Sequence, residues 1–403
     1  MKIIYSLLIC CLVFPCKAQR ICATNEAQLK PNLYSRSATQ SLSARDTLPD
    51  EIITVPVVIH VLYNDNIQNI SDAQVISQIE SLNKDYRKLN NTRNIPTVFS
   101  SLSADARIIF CLAKTDPIGR ATTGIIRKNI KTKSWSANDQ MKFSASGGDD
   151  TWDSKRYLNI WICNLSGGSL GYSSLPGSPA DKDGVVIQYD VFGTTGNLRA
   201  PFNKGRTATH EIGHWLGLLH LWGDALCGDD LINDTPPQRS YNNGCPAFPH
   251  VSTCSINANG DMFMNFMDFT DDDCMSMFTR GQKNKMRSMF ASGNARNSFL
   301  NSQACNSPSP EEGPMASGNV VIIKSAVSLY PNPAKDFIII EAKNSVELIG
   351  KTMVIFNTVG REIKRQLLTS SKNRILINNM PSGIYVIKIG EGKEIKILRL
   401  LKQ

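Results

Sequence analysis

The feature that most constrains this chain is the stretch of residues 210–220, which reads H-E-I-G-H-W-L-G-L-L-H. On an α-helix, His210 and His214 project from the same face, so both imidazoles can reach one metal ion. Gly217 can take the left-handed conformation that ends a helix, and the chain can then return to supply His220. Three protein ligands leave one position of a tetrahedral zinc ion open, which is typical of catalytic sites.

Glu211 lies beside the same helical face, where its carboxylate can act on water at the metal without being a ligand. The protein has five histidines, and three of them occupy the required positions. This concentration argues against the alternative that these histidines are only structural residues of a buried helix. The motif therefore predicts zinc held by His210, His214 and His220, with Glu211 as the general base.

Residues 1–18 are typical of a secretory signal peptide. Lys2 supplies the positive start, an almost entirely apolar run follows from Ile3 to Phe14, and Cys16-Lys17-Ala18 offers a cleavage site. No later stretch has the ~18 apolar residues of a membrane span. We therefore expect an exported protein without a transmembrane segment.

The net charge of +9 is concentrated at one end of the chain. Residues 318–403 hold 14 Lys and Arg against 6 Asp and Glu, so the central region is near neutral. No basic patch is interleaved with aromatic residues. Nucleic-acid binding is therefore not expected.

Residues 19–45 are polar and are predicted to form a pro-segment that contains Arg20-Ile21-Cys22. A lone cysteine next to an arginine can act as a cysteine switch, because zinc binds a thiolate strongly and the thiolate fills the open position. A disulfide elsewhere would explain Cys22 equally well. The spacing alone leaves both interpretations open.

Residues 46–305 combine buried strands with few helices. Apolar, β-branched runs predict strands at 52–63, 107–113, 158–163 and 184–189, and a capping box at Ser71 predicts a helix to about Leu89. Residues 173–175 could form an edge strand that holds an extended peptide. We expect an α+β domain with a mixed twisted sheet, an active-site helix and a loop-rich C-terminal subdomain.

The long irregular stretch 221–276 contains four of the eight cysteines that remain after the signal peptide. Its oxygen-bearing side chains suit calcium, although a solvated acidic loop is the alternative; they are Asp229, Asp230, Asn233, Asp234 and Thr235. Residues 264–269 are either a methionine-rich part of the core or a Met-turn beneath the zinc site. Thr279 caps a final helix to about Ala291.

Residues 306–324 are rich in Pro, Ser and Gly and predict a linker. Residues 325–403 alternate short β-branched runs with turns, which predicts a small all-β sandwich. This part of the chain has no His and no Cys. Zinc chemistry is therefore confined to the preceding domain.

The zinc motif with Trp215 and the segment Asn265-Phe266-Met267-Asp268 resemble the metzincin metalloproteases, and more narrowly the ulilysin-like (cytophagalysin) branch of the pappalysin family. The resemblance covers about residues 20–305. It implies that Cys22 is the latency thiol and Met267 the Met-turn methionine.

The same resemblance implies further assignments in the loop after the zinc motif. Cys227 would pair with Cys254, and Cys245 with Cys274. Asp230 and Thr235 would bind structural calcium. Asp273 would lie at the base of the S1′ pocket, where a carboxylate favours Arg after the scissile bond.

One residue departs from the pattern of these relatives, which often carry Tyr two positions after the Met-turn methionine. This chain has Phe269 there. A phenol can donate a hydrogen bond to the oxyanion, whereas a phenyl ring cannot. Losing one such donor costs roughly 100- to 1000-fold in turnover.

The tail resembles the C-terminal sorting domain of the type IX secretion system, on the residues 329–333 (L-Y-P-N-P), Gly360-Arg361-Glu362, 381–385 (P-S-G-I-Y) and a basic end. The resemblance implies recognition by the type IX machinery, export through periplasm and outer membrane, and a secreted or cell-surface location.

These observations together predict a secreted zinc endopeptidase that is made as a latent precursor and hydrolyses peptide bonds in proteins, with a preference for Arg at P1′. Zinc would be the catalytic cofactor and calcium a structural one. Two alternatives compete with this function. One is a surface adhesin with an inactive protease domain, and the other is a protease restricted to processing itself.

Overall fold

The computed structural model describes residues 19–26, 50–92, 95–254, 259–306, 327–342, 348, 351–357, 361–390 and 396–403. The chain divides into two compact units, Met1–Glu311 and Glu312–Gln403. The expected signal peptide, residues 27–45 of the expected pro-segment and nearly all of the expected linker lie outside the described residues.

A six-stranded mixed sheet forms the centre of the first unit, in the order β2-β1-β4-β6-β5 with β3 also pairing with β1. The strands are β1 (Ile53–Tyr63), β2 (Ile108–Leu112), β3 (Ile125–Asn129), β4 (Leu158–Cys163), β5 (Gly171–Ser173) and β6 (Val185–Gln188). All pairs are parallel except β5 with β6, which is antiparallel. This leaves β5 as the edge strand on one side of the sheet.

Strand β1 is long enough to organise the sheet by itself. Its first half pairs with β2 and its second half with β3 on one side, while β4 lies along the other side. Its apolar residues are buried on both faces, as in parallel sheets that are covered on both sides.

Among the described residues, four α-helices accompany this sheet: α1 (Asp72–Tyr86), the single turn α2 (Thr97–Ser100), α3 (Arg206–Trp215) and α4 (Arg280–Ser288). Helix α1 begins where the Ser71 side chain accepts a hydrogen bond from the backbone of Gln74. It packs against α3, and the hydroxyl of its Tyr86 donates to the carbonyl of Thr209 at 3.0 Å. In the described ranges no helix has the length and apolar character needed to cross a bilayer.

The stretch between α3 and α4 is irregular and is held by disulfides. The structure pairs Cys227 with Cys254 and Cys245 with Cys274, as the resemblance implies. A third disulfide joins Cys111 of β2 to Cys305. Helix α4 begins with the expected capping box, in which Thr279 and Gln282 bind each other's backbone.

The second unit consists of two small antiparallel sheets. One has the order β10-β9-β12-β13 and the other β11-β8-β7. Their strands are β7 (Val327–Tyr330), β8 (Phe337–Ala342), β9 (Thr352–Asn357), β10 (Glu362–Leu367), β11 (Lys372–Leu376), β12 (Gly383–Ile389) and β13 (Lys396–Lys402). A shared apolar core includes Ile340 from one sheet and Ile355 and Ile387 from the other. These strands agree with the expected small β-domain, and the α+β fold class is confirmed.

Candidate active site

The three motif histidines converge on one point. Helix α3 carries His210 and His214, and the chain turns at Gly217, which has φ of +85°, to bring back His220. The Nε2 atoms of the three rings lie 3.1 to 3.2 Å from one another. All three side chains are buried.

The opposite ring nitrogens are held by oxygen acceptors. His210 Nδ1 lies 2.7 Å from the carbonyl oxygen of Phe266, and His214 Nδ1 lies 2.9 Å from that of Leu218. His220 Nδ1 lies 2.7 Å from Oδ1 of Asp224. Each Nδ1 therefore carries the proton, which leaves a lone pair on each Nε2.

Three lone pairs that face one another need a cation between them. Burial lowers the pKa of all three histidines, and for His210 and His214 the neighbouring imidazoles lower it further. The rings are thus neutral at ordinary pH, which is the protonation state that binds a metal. The donor set fits a metal ion with imidazole ligands.

Glu211 lies beside this cluster with its carboxylate buried. Burial raises its pKa to about 7, although hydrogen bonds from Cys22 and Thr24 oppose the shift. Its side chain lies close to the edge strand, since a Cβ added to Gly171 would come within 3.0 Å of Glu211 Cγ. A glycine at this place lets the strand approach the base.

Residues 19–26 lie along the edge strand β5. The amide of Leu170 donates to the carbonyl of Ile21 at 2.9 Å, and the amide of Ala23 donates to the carbonyl of Gly171 at 3.0 Å. The bridge between Cys22 and Gly171 is parallel. The edge strand lies at residues 171–173 rather than at the expected 173–175, and the chain's own N-terminal segment occupies it.

The segment alternates between exposed residues and residues that face the site. The inward residues are Arg20, Cys22, Thr24 and Glu26. The sulfur of Cys22 belongs to one group of possible metal ligands with the three histidines, all within 4.8 Å of one another. It also lies 3.4 Å from Oε2 of Glu211, and burial followed by that carboxylate raises the pKa of the thiol.

Thr24 and Glu26 add two contacts that sequence reasoning missed. The hydroxyl of Thr24 donates to Oε2 of Glu211 at 3.0 Å. Oε1 of Glu26 accepts from the backbone amide of His220 at 2.7 Å and lies 3.2 Å from its Nδ1. Only the two-residue period of the segment, in which every second residue faces the site, could have indicated these residues.

Arg20 fills a buried pocket at the start of α3. Its guanidinium pairs with Oδ1 of Asp272 at 2.5 Å and donates to Thr207 Oγ1 at 2.9 Å. The ring of Phe202 lies 5.0 Å from the guanidinium carbon. The other Asp272 oxygen accepts the backbone amide of Lys204 at 2.7 Å, so the carboxylate is fixed in place.

Asp273, which the resemblance places at the base of an S1′ pocket, is not the carboxylate that Arg20 binds. The Asp273 side chain is 75% exposed and pairs with Lys204 at 3.3 Å. Asp272, one residue earlier, is the buried carboxylate. Two adjacent residues of this irregular loop point in different directions, and the sequence does not indicate which one turns inward.

The turn at residues 265–268 lies beneath the histidines, as a Met-turn would. Met267 is buried, and a Cβ added to Gly213 would come within 2.5 Å of its sulfur. Asn265 fixes this turn, because its Oδ1 accepts the amide of Met267 at 2.9 Å. The absence of a Cβ at Gly213 therefore lets the methionine pack closely against the helix.

Phe269 is part of an aromatic cluster at the site. Its ring centroid lies 4.9 Å from that of His220 and 5.6 Å from that of His210. Trp222 stacks on His220 with centroids 4.4 Å apart, and Tyr241 stacks on Phe269 at 5.4 Å. A hydroxyl group is absent from the ring that adjoins the histidines.

The acidic loop is only partly explained by its own hydrogen bonds. Oδ1 of Asp230 accepts from Thr235 Oγ1 at 2.5 Å, whereas Oδ2 is buried and has no hydrogen-bond partner within the described part of the chain. Burial raises the pKa of Asp230 to about 7. Asp234 serves another purpose, since it accepts the amide of Gly281 at 2.8 Å near the start of α4.

His60 has a structural role. Its ring nitrogens lie 2.7 Å from Asp149 Oδ2 and 3.0 Å from Asn159 Oδ1, and the ring stacks on Trp161. It lies in the middle of β1, and these hydrogen-bond partners do not belong to the histidine cluster.

Comparisons with known proteins agree with this geometry. Residues 144–291 match the M43 peptidase family, described as pregnancy-associated plasma protein-A, and residues 328–403 match the secretion system C-terminal sorting domain. An extracellular metalloprotease of Podospora anserina is 32% identical over 277 residues, which cover 67% of this chain and 83% of the relative. Extracellular metalloprotease 1 of Coccidioides posadasii is 42% identical over 142 residues, or 33% of this chain, which span about half (49%) of that relative.

Among solved structures, a variant of Tannerella forsythia promirolysin superposes with a TM-score of 0.65. It is 44% identical, and the match covers 70% of this chain and 97% of that one. The chain therefore belongs to the M43 family of metallopeptidases. It is an extracellular metalloendopeptidase with a catalytic metal, made as a precursor and carrying a type IX sorting domain for its secretion.

Proposed function

We propose that the catalytic metal is zinc and that His210, His214 and His220 hold it through Nε2. The observation that carries this assignment is the convergence of three neutral, buried imidazoles whose Nε2 atoms lie 3.1 to 3.2 Å apart. Imidazole nitrogens in a three-ligand set suit zinc. When bound there, zinc would polarise the peptide carbonyl and lower the pKa of water.

In this mechanism Glu211 moves the proton. Its carboxylate takes a proton from the attacking water and delivers it to the nitrogen of the leaving amine. The edge strand β5 orients the substrate, because the free main-chain groups of an edge can pair with an extended peptide. Phe269 excludes water beside the histidines but contributes no hydrogen-bond donor to the oxyanion.

We further propose that residues 20–26 keep the precursor latent. Cys22 would supply a thiolate as the fourth metal ligand. Thr24 occupies the oxygen of Glu211 that would accept the proton, at 3.0 Å. The segment also covers the main-chain groups of Gly171 and Leu170, so a substrate can pair with this edge only after the segment leaves.

The pocket filled by Arg20 supports a preference for Arg at P1′, with Asp272 rather than Asp273 as its base. A substrate arginine could replace Arg20 and make the same charged contact with Asp272. Thr207 and the carbonyl of Thr270 would accept its remaining donors, as they do for Arg20.

The buried Oδ2 of Asp230 supports a structural calcium site that includes Asp230 and Thr235. Calcium favours carboxylate and hydroxyl oxygens, and a cation would compensate a buried carboxylate that has no donor on one oxygen. Such an ion would hold the loop that connects α3 to the Met-turn.

The chain would then be organised as a signal peptide (1–18), a pro-segment (19–45), a catalytic domain (46–305), a linker (306–324) and a sorting domain (325–403). The position of residues 19–26 at the site supports a pro-segment, and the second compact unit supports a separate C-terminal domain. The partners would be protein or peptide substrates and the type IX machinery.

The variant Glu211→Ala tests the mechanism. We expect the activated variant to bind one zinc ion, since the histidines are unchanged, and to lose peptide cleavage by at least 100-fold. Zinc content by mass spectrometry and cleavage of a foreign protein are the measurements. Retained cleavage would refute the role of Glu211, and a native enzyme that cuts only its own chain would favour the self-processing alternative.

A further inference from the structure

A buried arginine lies at the C-terminal end of the metal-binding helix. Arg296 follows α4 in sequence and is only 2% exposed. Its Nη2 donates to Oδ1 of Asp183 at 3.0 Å, and its Nη1 binds Oδ2 of the same carboxylate. The guanidinium carbon lies 3.9 Å from the centre of the Trp215 ring, whose Nε1 also donates to Asp183.

The same guanidinium binds the main chain of the helix. Its Nε and Nη2 donate to the carbonyl oxygen of Trp215 at 3.3 and 3.2 Å. Trp215 is the last residue of α3, where carbonyls have lost their helical partners and the helix dipole is negative. Arg296 therefore satisfies and neutralises this helix end.

This carbonyl lies between the second and third metal-binding histidines. Trp215 directly follows His214, and Leu218, whose carbonyl accepts from His214 Nδ1 at 2.9 Å, lies three residues on. His220 follows two residues later. The contacts of Arg296 with Trp215, which we call the Arg296 clamp, consequently restrain the ring orientation of His214. They also restrain the path of the chain that returns His220 to the site.

We propose that Arg296, held in place by Asp183, is a positioning residue that sets the affinity of the histidine cluster for zinc without touching the metal. The proposal rests on the zinc site described above. Residues that orient metal ligands from outside the coordination sphere typically change metal affinity or activity by about 10- to 100-fold. An effect in that range is expected here.

The competing explanation is that the Arg296–Asp183 pair only stabilises the fold. Removing one partner of a buried ion pair leaves an uncompensated charge and destabilises a protein strongly, whereas replacing both partners avoids that penalty. The two explanations therefore differ for a double variant. It removes both charges and the donors to Trp215 together.

The test uses four full-length variants: Arg296→Met, Arg296→Lys, Asp183→Asn and the double variant Asp183→Asn/Arg296→Met. Zinc affinity is measured by competition with a chelator, and thermal stability is measured without metal. Arg287→Met is the matched control, because Arg287 is also buried and donates to main-chain carbonyls, those of residues 51, 106 and 107. His220→Ala verifies the zinc site itself.

We expect Arg296→Met to weaken zinc binding by about 10- to 100-fold. The double variant should regain much of the lost stability yet bind zinc as weakly as Arg296→Met. The zinc affinity of Arg296→Lys should fall between those of the native protein and Arg296→Met, because one ammonium group cannot replace all the donors of the planar guanidinium. Arg287→Met should lose stability and keep native zinc affinity.

Native zinc affinity in the double variant would overturn the proposal, and so would equal losses of affinity in Arg287→Met and Arg296→Met. If Arg296→Met does not fold, Asp183→Asn and the double variant still decide the matter. Undiminished zinc binding by His220→Ala would instead show that the proposed zinc site is wrong. The failure of the site and the failure of the clamp are thus distinguishable.

Discussion

The Arg20 pocket offers a direct test of how the precursor is kept inactive. Residues 20–26 contact the histidine cluster, Glu211 and Asp272 from one short segment, so a synthetic peptide of residues 19–26 should inhibit the activated enzyme in trans. Within it, Arg20 forms a buried pair with Asp272 at 2.5 Å and donates to Thr207 at 2.9 Å. We predict that an Arg20→Ala peptide inhibits far more weakly.

The size of the loss follows from the burial of the pair. Removing one partner of a buried ion pair costs about 3 to 5 kcal/mol, because the remaining charge is left uncompensated. Water can enter the emptied pocket and hydrate Asp272, which favours the lower value. About 3 kcal/mol corresponds to a roughly 100-fold increase in the inhibition constant.

The assay compares inhibition constants for the native peptide, the Arg20→Ala peptide and an Ile21→Ala control. Ile21 belongs to the same segment but its side chain is 40% exposed, so the control should inhibit like the native peptide. Equal inhibition by the native and Arg20→Ala peptides would refute the assignment of Asp272 as the base of the pocket. A loss of similar size for Ile21→Ala would show that backbone pairing with β5 dominates.

Three further outcomes are expected. Cys22→Ala should give a precursor that cleaves a peptide substrate before its pro-segment is removed, and unchanged latency would exclude the thiol as a switch. Phe269→Tyr should raise kcat of the activated enzyme by about tenfold or more with little change in KM, because it adds a donor beside the oxyanion; an unchanged kcat would mean that another group already serves. Burial raises the pKa of Asp230 to about 7, so protons compete with calcium and the calcium-dependent rise in Tm should shrink as pH falls from 8 to 6. The Asp230→Asn variant should show neither the rise nor its pH dependence.

The parts of the fold that were predictable from sequence are those with strong local periodicity or capping signals. The strand Leu158–Cys163 and the helix that Ser71 caps lie where the sequence places them. Strands β3, β7 and β10 were not predicted. They are short, and the polar residues of β3 and β10 hide the alternation that marks a half-buried strand.

The candidate site divides in the same way. His210, Glu211 and His214 lie on one helix, so their geometry follows from helical spacing. His220 follows after the turn at Gly217, which the sequence motif also indicates. Asp272 could not be found in this way because long-range packing, rather than any local pattern, places it. Asp272 turns inward since the amide of Lys204, 68 residues earlier, binds its carboxylate.

The N-terminal segment combines features of a substrate with features that prevent its own cleavage. Arg20 fills the pocket that we assign to a P1′ side chain, and the backbone makes hydrogen bonds with Leu170 and Gly171. Cys22 and Thr24, however, direct a sulfur toward the histidines and a hydroxyl toward Glu211, where a scissile carbonyl and a water molecule would otherwise lie. Because the segment presents side chains rather than a peptide bond to the catalytic groups, it can bind tightly and remain uncut. In the proposed mechanism, its removal would begin at a bond outside residues 20–26.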